Sequence, residues 1–313
     1  MKIHLDTDLG SDIDDLCALA MLLKWPGGVE LTGITTVAED GGRRAGYVRQ
    51  ALALAGRSDT PVAAGADGSV GTFRYPVTLP DEKRYWLEAI TPAPAPIGEA
   101  LLLLKRSVEA GATVVAIGPY TNLRLFDQAY PGLLGTVPLY IMGGHVHEIP
   151  PGYPRWDDTA DWNVQSDVTA AAHVLECFSL TVIPIEVTVQ TALRRAYLPA
   201  LRAAGSLEVL IAHQMEMFAE DEKHETRYGR TCSGLPDDLI NFQHDPLACA
   251  VALGWDGVTI EETRVSVELR EDWLHEEAHP DGRPMRVVTG VDAERFDRFW
   301  LDVVTGKRER DNI

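Results

Sequence analysis

The stretch that decides the fold reads KIHLDTDLGSDIDDLCALAMLLK and spans residues 2–24. Lys2–Asp6 has the pattern of a short strand, and the apolar residues of Asp12–Lys24 recur at helical spacing. Similar strands and helices alternate along most of the remaining chain. Such alternation is typical of a mainly parallel sheet with helices on both faces. We therefore predict an α/β fold in a single domain, residues 1–313, with a Rossmann-like central sheet flanked by helices.

Three long segments interrupt the alternation of strands and helices. The first loop (Asp67–Pro96) is rich in proline, glycine and aromatic residues, the second (Gly143–Asp161) carries two histidines, and the third (Asp221–Asp238) is charged. Loops of this length in a compact domain are often functional. Because they follow strands, we expect them at the carboxyl edge of the sheet, where ligands bind in such folds.

The composition limits the kinds of partner. The chain has 313 residues and a formal net charge of −19, from 28 basic and 47 acidic residues. Such an acidic surface repels phosphate backbones and anionic lipids, so we expect no nucleic-acid and no membrane partner. No apolar run is long enough for a bilayer, and Met1–Asp6 lacks the apolar region of a secretion signal. The four scattered cysteines are typical of reduced thiols, which predicts a cytoplasmic protein.

The first strand and helix are joined by an acidic turn, in which half of the residues from 6 to 15 are aspartates. Helix capping by Asp12 and the helix dipole at Asp14 and Asp15 explain part of this pattern. They do not explain Asp8, which we expect to converge with Asp14 and Asp15. Several carboxylates this close repel one another unless a cation or a proton neutralises them. Oxygen ligands without histidine or cysteine indicate Ca²⁺ or Mg²⁺.

Six short segments follow one another in a recognisable order. The first, at 6–16, is similar to an Asp-x-Asp-Pro-Gly-x-Asp-Asp-Ala signature, with two residues inserted and leucine in place of proline. The others are Thr-Thr-Val at 35–37, Gly-Pro-Tyr-Thr-Asn-Leu at 118–123, Met-Gly-Gly at 142–144, Asp-Trp-Asn at 161–163 and His-Asp-Pro-Leu-Ala at 244–248. Together they resemble the inosine–uridine-preferring nucleoside hydrolases, or nucleoside N-ribohydrolases, over nearly the whole chain.

This resemblance implies a metal-dependent enzyme that hydrolyses the N-glycosidic bond of a ribonucleoside, or a related N-riboside, to free base and ribose. Asp8 would ligate the metal and also take a proton from the attacking water. Asp15, Asp245 and the main-chain carbonyl of Thr121 would complete the protein's share of the ligands. The metal is expected to be Ca²⁺ rather than Mg²⁺. The resemblance also implies a homodimer or homotetramer.

The resemblance further implies residues that bind the substrate. Asp14 and Asn163 would hold the ribose, and Asp161 would stand where the family usually has glutamate. His244 would lie near the leaving base as a catalytic residue, since histidine can protonate or hydrogen-bond a departing base. The small-molecule partner is then a nucleoside, whose base the sequence does not specify.

Some positions depart from the family pattern. The inserted residues leave open whether Asp12 binds substrate, binds the metal or only caps the helix. After the second strand the family continues with Gly-Asn, whereas this chain has Glu39 and Asp40. We expect Asp40 to accept a hydrogen bond from a sugar hydroxyl, although it cannot donate as an amide does. Because these changes fall on sugar- and base-facing elements, we predict retained chemistry with an altered substrate.

Three side chains outside these sets also carry expectations. Trp162 could stack on a base, but it is predicted to pack in the core because phenylalanine usually occupies that place in the family. His145 and His147 lie two residues apart in the second loop, where a transition-metal site is conceivable. Without a nearby acid of matching spacing, we predict solvent-exposed histidines instead.

Two other functions compete with the hydrolase. A phosphatase of the haloacid dehalogenase type also has Asp-x-Asp after its first strand and binds Mg²⁺, but its other motifs find no convincing match here. A non-catalytic ribose-binding protein is the other alternative, because the altered residues Glu39, Asp40 and Asp161 lie where substrate contacts are expected.

Overall fold

The structure is a computed structural model that describes residues 1–10, 12–68, 73–75, 77 and 79–307. Ser11 of the acidic turn, part of the first loop and the last residues of the predicted domain therefore lie outside the described residues. Five of the six residues of the first strand are buried, since the strand is covered on both faces. The described strands are β1 (Lys2–Thr7), β2 (Glu30–Thr36), β3 (Val62–Ala64), β4 (Thr113–Ala116), β5 (Leu139–Met142), β6 (Thr181–Ile183), β7 (Ala192–Arg194), β8 (Leu239–Phe242), β9 (Val258–Arg270), β10 (Trp273–Ala278) and β11 (Arg283–Val291).

Within the described residues, the central sheet has nine strands in the order β10-β9-β11-β6-β5-β4-β1-β2-β3. The strands from β3 to β11 in this order run parallel to their neighbours. β9 pairs antiparallel with both β11 and β10, and these strands extend the parallel part at one edge of the sheet. β7 and β8 form a separate two-stranded antiparallel sheet. The predicted α/β fold with a mainly parallel sheet is confirmed.

The strand order places a crevice beside β1. This strand lies between β2 and β4, so successive crossovers leave it in opposite directions. In sheets of this type the carboxyl ends of the strands at such a switch point open into a ligand-binding crevice. Asp8 follows β1 directly, and the segment before Thr121 follows β4 directly. The fold therefore brings the acidic turn to the position where a ligand is expected.

Helices cover the central sheet, and the most central of them is α1. Its residues from Asp14 to Leu22 are all buried, because neighbouring helices surround it. One of these is α11, which begins with His244 and Asp245 and so brings both to the acidic turn. The helices are α1 (Asp14–Lys24), α2 (Arg43–Leu54), α3 (Glu82–Tyr85), α4 (Ile97–Glu109), α5 (Thr121–Ala129), α6 (Trp162–Ser166), α7 (Val168–Cys177), α8 (Ile185–Thr188), α9 (Leu198–Arg202), α10 (Ser206–Glu222), α11 (His244–Ala252) and α12 (Ala293–Thr305).

The first helix begins later than the sequence pattern indicates. α1 starts at Asp14, and its N-cap is Ile13, which makes no side-chain capping hydrogen bond. The possibility that Asp12 occupies the N-cap position is therefore wrong. Among the described residues, none of the helices has the length and apolar character needed to cross a bilayer.

Candidate active site

A cavity of about 720 Å³ opens at the carboxyl edge of the sheet, above the acidic turn. The first loop contributes Arg84 and Tyr85 to its wall, the second loop Trp156, and the third loop His224 and Tyr228. The prediction that all three long segments meet at this edge is confirmed. Because the floor carries the aspartates and the walls carry aromatic rings, the cavity can hold a ligand with one polar and one flat apolar part.

Three buried carboxylates converge on the floor of the cavity. Asp14, Asp15 and Asp245 each offer an oxygen, and these oxygens lie within 4.8 Å of one another. Burial, followed by the charges of the neighbouring aspartates, raises the pKa of all three carboxyl groups well above the ordinary value. A divalent cation would remove this repulsion, and it prefers oxygen ligands of this kind. The residues present therefore fit a divalent-metal site.

Asp8 lies at the edge of this floor, and its environment differs from that of the three converging aspartates. It lines the cavity, and burial raises the pKa of its carboxyl group, while the positive charge of Arg44 opposes that increase. Arg44 is itself buried, and its guanidinium donates to the carbonyls of Asp8 and Ala38. The sequence does not indicate this role of Arg44, because 36 residues separate it from Asp8 along the chain.

Trp162 forms a hydrogen bond with the carboxylate of Asp8. Its indole Nε1 donates to Asp8 Oδ2 over 3.3 Å, and its ring stacks on Tyr75 with centroids 5.3 Å apart. The side chain is 41% exposed and lines the cavity. The prediction that Trp162 packs in the core is therefore wrong. It stands at the first position of α6, where the helix faces the cavity.

Asp12 also lines the cavity, one residue before the N-cap of α1. Its carboxylate accepts hydrogen bonds from the Ile13 N–H and, over 2.6 Å, from Asn241 Nδ2 at the carboxyl end of β8. Burial raises the pKa of Asp12 to about 7. The insertion in the first motif therefore places one more carboxylate beside the cluster. Asn241, which no sequence motif indicates, holds it there.

Asp14 and Thr121 differ in their position relative to the predicted metal site. Asp14 belongs to the converging group, and its Oδ2 accepts the main-chain N–H of Asp245 over 3.3 Å. Thr121 begins α5, and its hydroxyl donates to Asp167 Oδ2 over 2.7 Å. Thr121 is buried and is not among the described residues that line the cavity.

Two predicted substrate-binding residues at the start of α6, Asp161 and Asn163, line the cavity, and their side chains are already hydrogen-bonded within the protein. Asn163 Nδ2 donates to the carbonyls of Ile117 and Met142, over 3.2 and 3.1 Å. The carboxylate of Asp161 accepts main-chain N–H groups of Gly144 and Val164, and burial raises its pKa to about 6. Asp161 thus caps α6 and fixes the turn after β5.

Asp40 lies away from the cavity. Its side chain is 57% exposed and faces Arg43 at 3.6 Å, and it is not among the described residues that line the cavity. The neighbouring Glu39 is buried instead, with its carboxylate accepting the N–H groups of Arg44 and Ala45 at the start of α2. The structure therefore contradicts the expectation that Asp40 binds a sugar hydroxyl. The reason is that Glu39 turns inward to hold the helix start.

His244 faces the aromatic wall of the cavity. Its Nδ1 lies 2.6 Å from the hydroxyl of Thr188, and its ring lies 5.4 and 6.2 Å from those of Phe242 and Trp156. Burial lowers the pKa of His244 to about 3 and that of nearby His224 to about 4. Both imidazoles are therefore neutral at neutral pH, and each can hydrogen-bond a heterocycle through a ring nitrogen.

A second cluster of ionisable groups ties the second loop to the sheet edge. His145 donates from Nδ1 to Asp158 Oδ1 over 2.5 Å, and His275 of β10 donates to the other oxygen of the same carboxylate. Glu186 accepts the N–H groups of Val146 and His147. The prediction of a solvent-exposed histidine is wrong for His145, which is mostly covered, and correct for His147.

The Asp158 bridge should make stability depend on pH. Burial opposes both shifts, yet the hydrogen bonds between the partners raise the pKa of His145 and lower that of Asp158. The Asp158 contribution is complete above its ordinary pKa of 3.8 and is lost as pH falls through the lowered value. The His145 contribution is complete below its ordinary pKa of 6.5 and is lost as pH rises through the raised value.

We therefore expect Asp158→Asn to lower the free energy of unfolding by about 1–2 kcal/mol, most strongly between pH of about 4 and 6.5. Urea unfolding at several pH values measures this difference. Asp59→Asn is the control, because Asp59 is exposed on the surface. If Asp158→Asn lowers the free energy of unfolding equally at pH values of about 5 and about 9, the ionic part of the bridge contributes nothing.

Comparison with known proteins identifies the class to which this fold and site belong. Residues 3–298 match the family described as inosine-uridine preferring nucleoside hydrolase. The chain belongs to this family. It is therefore a nucleoside hydrolase, an enzyme that cleaves ribonucleosides by hydrolysis, and the phosphatase alternative does not hold.

Individual relatives agree with this assignment. The chain is 29% identical to a non-specific ribonucleoside hydrolase RihC from Klebsiella pneumoniae, over 97% of this chain and 98% of that protein. It is 28% identical to a pyrimidine-specific ribonucleoside hydrolase RihA from Salmonella arizonae, over 86% and 84% of the two chains. A purine-preferring ribonucleoside hydrolase from Gardnerella vaginalis has a similar fold, with a TM-score of 0.75 and 22% identity over 98% of both chains.

Proposed function

We propose that this enzyme hydrolyses the N-glycosidic bond of a ribonucleoside with the help of a divalent cation, Ca²⁺ rather than Mg²⁺, held by the acidic turn and Asp245. The observation that carries the proposal is the convergence of three buried carboxylates, Asp14, Asp15 and Asp245, on the floor of the cavity. Asp8 and the main-chain carbonyl of Thr121 are proposed as further ligands, as the sequence resemblance implies. Bound there, a divalent cation supplies positive charge that acidifies water and attracts sugar hydroxyls.

The proposed reaction forms a bond from water oxygen to the anomeric carbon and breaks the bond from that carbon to the base nitrogen. The transition state resembles an oxocarbenium ion, so negative charge below the sugar favours it. We propose that Asp8 takes the proton of the attacking water, a role supported by its position in the cavity lining and by the hydrogen bond that its Oδ2 accepts from Trp162 over 3.3 Å. Asp12, Asp14 and Asn163 line the same floor and would orient the sugar.

The leaving base would depart against the aromatic wall. His244 is neutral near pH 7 because burial lowers its pKa to about 3, so it would act as a hydrogen-bond donor to the base rather than as an imidazolium. The hydroxyl of Thr188 at 2.6 Å from Nδ1 fixes the ring orientation. Trp156 and Phe242 pack around His244 and supply a flat apolar surface for a heterocycle.

A nucleoside panel tests this function. Purified protein is incubated with inosine, adenosine, uridine and cytidine, and reducing sugar is measured with and without a chelator. We expect ribose release from at least one nucleoside and its loss in chelator, with recovery when Ca²⁺ is added. Binding of nucleosides by calorimetry without any ribose release would instead support the ribose-binding alternative. Hydrolysis that persists unchanged in chelator would refute the role of the cation.

Three further properties stay predictions. The homodimer or homotetramer rests on the family resemblance alone. A cytoplasmic location is supported by the four cysteines, Cys17, Cys177, Cys232 and Cys249, which are all free in the structure. The base preference is open, since relatives of similar identity are named for different base preferences.

A further inference from the structure

A second cavity, of about 510 Å³, lies beside the candidate active site. The two cavities share the side chains of Trp156, Arg227 and Tyr228, which form a common wall. Trp156 also packs near His244, with ring centroids 6.2 Å apart. The second cavity is therefore reached from the side of the site at which the proposed function puts the base.

The second cavity has the opposite electrostatic character to the molecule as a whole. Arg155 and Arg227 both line it, and none of the described residues in its lining is an aspartate or a glutamate. This contrasts with a chain in which acidic residues outnumber basic ones by 47 to 28. The hydroxyls of Tyr153 and Ser233 add neutral hydrogen-bonding groups, whereas the Thr231 hydroxyl already donates to the main-chain carbonyl of Arg227 over 2.6 Å. A cavity with this lining attracts an anionic group.

The two arginines are suited to a planar anion. The guanidinium of Arg227 lies over the Tyr228 ring, 5.0 Å from its centroid, and Nη2 donates to the Tyr228 hydroxyl over 3.0 Å. These contacts hold Arg227 at the common wall, although Glu222 at 3.5 Å takes up part of its charge. Within the part of the chain that the structure describes, no carboxylate forms an ion pair with Arg155. A guanidinium binds a carboxylate through two parallel hydrogen bonds.

We propose that the second cavity is an anion-binding subsite, and that the enzyme accepts nucleosides whose base carries a carboxylate. The aromatic wall would hold the ring, and the carboxylate would extend past Tyr228 towards Arg155 and Arg227. The assignment of the anion to a base rests on the proposed function, whereas the affinity of the subsite for an anion does not.

A matched pair of substrates tests this proposal. 5-Carboxyuridine and 5-carbamoyluridine differ only in a carboxylate against a neutral amide of the same shape. We expect kcat/KM for the carboxylate to exceed that for the amide at low salt. The factor should be only about three to ten, because solvent weakens an ion pair between exposed groups. The ratio should fall as the salt concentration rises. A carboxylate-to-amide ratio of kcat/KM that is the same in the wild-type protein and in Arg155→Gln would overturn the proposal, because the electronic difference between the two bases is common to both proteins.

Variants separate the local contact from overall charge. Arg155→Gln and Arg227→Gln should each reduce the carboxylate-to-amide ratio towards one. Arg230→Gln is the control, because it removes the same charge from an exposed arginine that pairs with Glu225 and lines neither cavity. If Arg230→Gln lowers the ratio as much as Arg155→Gln, the preference reflects overall charge and the subsite is refuted.

Two further measurements complete the test. One measures binding without catalysis, and the other asks whether the bound anion belongs to the base or to the sugar. Calorimetry with free uracil-5-carboxylate and uracil-5-carboxamide should show the same preference, and its loss in Arg155→Gln, even if no nucleoside is hydrolysed. Binding of the two bases with equal affinity would overturn the subsite in that case. Uridine 5′-monophosphate tests the other source of an anion, a phosphate on the sugar. If it binds more tightly than uridine and Arg155→Gln abolishes the difference, the subsite belongs to a sugar phosphate and the carboxylate proposal is refuted.

Discussion

Asp245→Asn is expected to lower kcat/KM for a nucleoside by about three orders of magnitude, because the change removes one of three converging carboxylates. The same variant should lose most of the increase in Tm that Ca²⁺ gives to the wild-type protein, since a ligand stabilises only the state that binds it. Asp8→Asn should lose activity to a similar extent but keep more of the Ca²⁺-dependent increase in Tm, because Asp8 lies outside the converging group.

The control for Asp245→Asn is Asp40→Asn, which makes the same chemical change on an exposed side chain outside the cavity. In excess chelator, Asp245→Asn should be at least as stable as the wild-type protein, because it removes one of several buried like charges. Calorimetric scans with Ca²⁺ and with chelator measure both differences. A full Ca²⁺-dependent increase in Tm in Asp245→Asn would exclude Asp245 as a ligand.

His244→Ala should slow the hydrolysis of inosine or uridine by about 10²- to 10³-fold, with a much smaller effect on 4-nitrophenyl riboside. The physical reason is that a purine or pyrimidine leaves poorly without a hydrogen bond from the protein, whereas nitrophenolate leaves unaided. Because the pKa of His244 is held at about 3 by burial, its contribution should not decline between pH of about 6 and 9. Steady-state kinetics with both kinds of substrate measure the contrast.

Thr188→Val provides a graded comparison for His244. This change removes the hydroxyl 2.6 Å from His244 Nδ1 while it preserves the shape of the side chain. We expect kcat for inosine or uridine to fall less than in His244→Ala, again with a much smaller effect on 4-nitrophenyl riboside. The reason is that the imidazole remains and only its orientation is lost. Equal slowing of nucleoside and nitrophenyl riboside in His244→Ala would show that His244 does not assist the leaving base.

The elements that the sequence predicts well are those with a strong local pattern. β1 and α1 follow from a buried apolar strand and a helical apolar repeat, and their boundaries differ from the prediction by one or two residues. The sequence does not reveal α10, because the apolar residues in Ser206–Glu222 do not form a single clear stripe. The sequence does not reveal β10, because its alternation includes the polar residues His275 and Glu276, which contact Asp158 and the main-chain N–H of His145.

The parts of the site that the sequence could not supply depend on tertiary packing. Arg44 and Asn241 each contact the acidic turn across a long stretch of chain, and nothing in their local sequence indicates it. The position of Asp40 after a strand predicts a substrate contact, yet Glu39 is the residue whose side chain is buried there. The phenylalanine usual at the place of Trp162 in the family predicts a core side chain, but it does not reveal that the first turn of α6 borders a cavity.

The burial of α1 on all sides has a consequence for how this enzyme can evolve. Asp14 and Asp15 belong to the same helix as the central apolar side chains, so a change in the chemistry of the floor also disturbs the core. Much of the wall, by contrast, belongs to three loops that can vary in sequence while the sheet stays intact. Many tolerated substitutions can therefore change the substrate. A new reaction would instead require simultaneous substitutions at the floor of the cavity and in the core, which are rare.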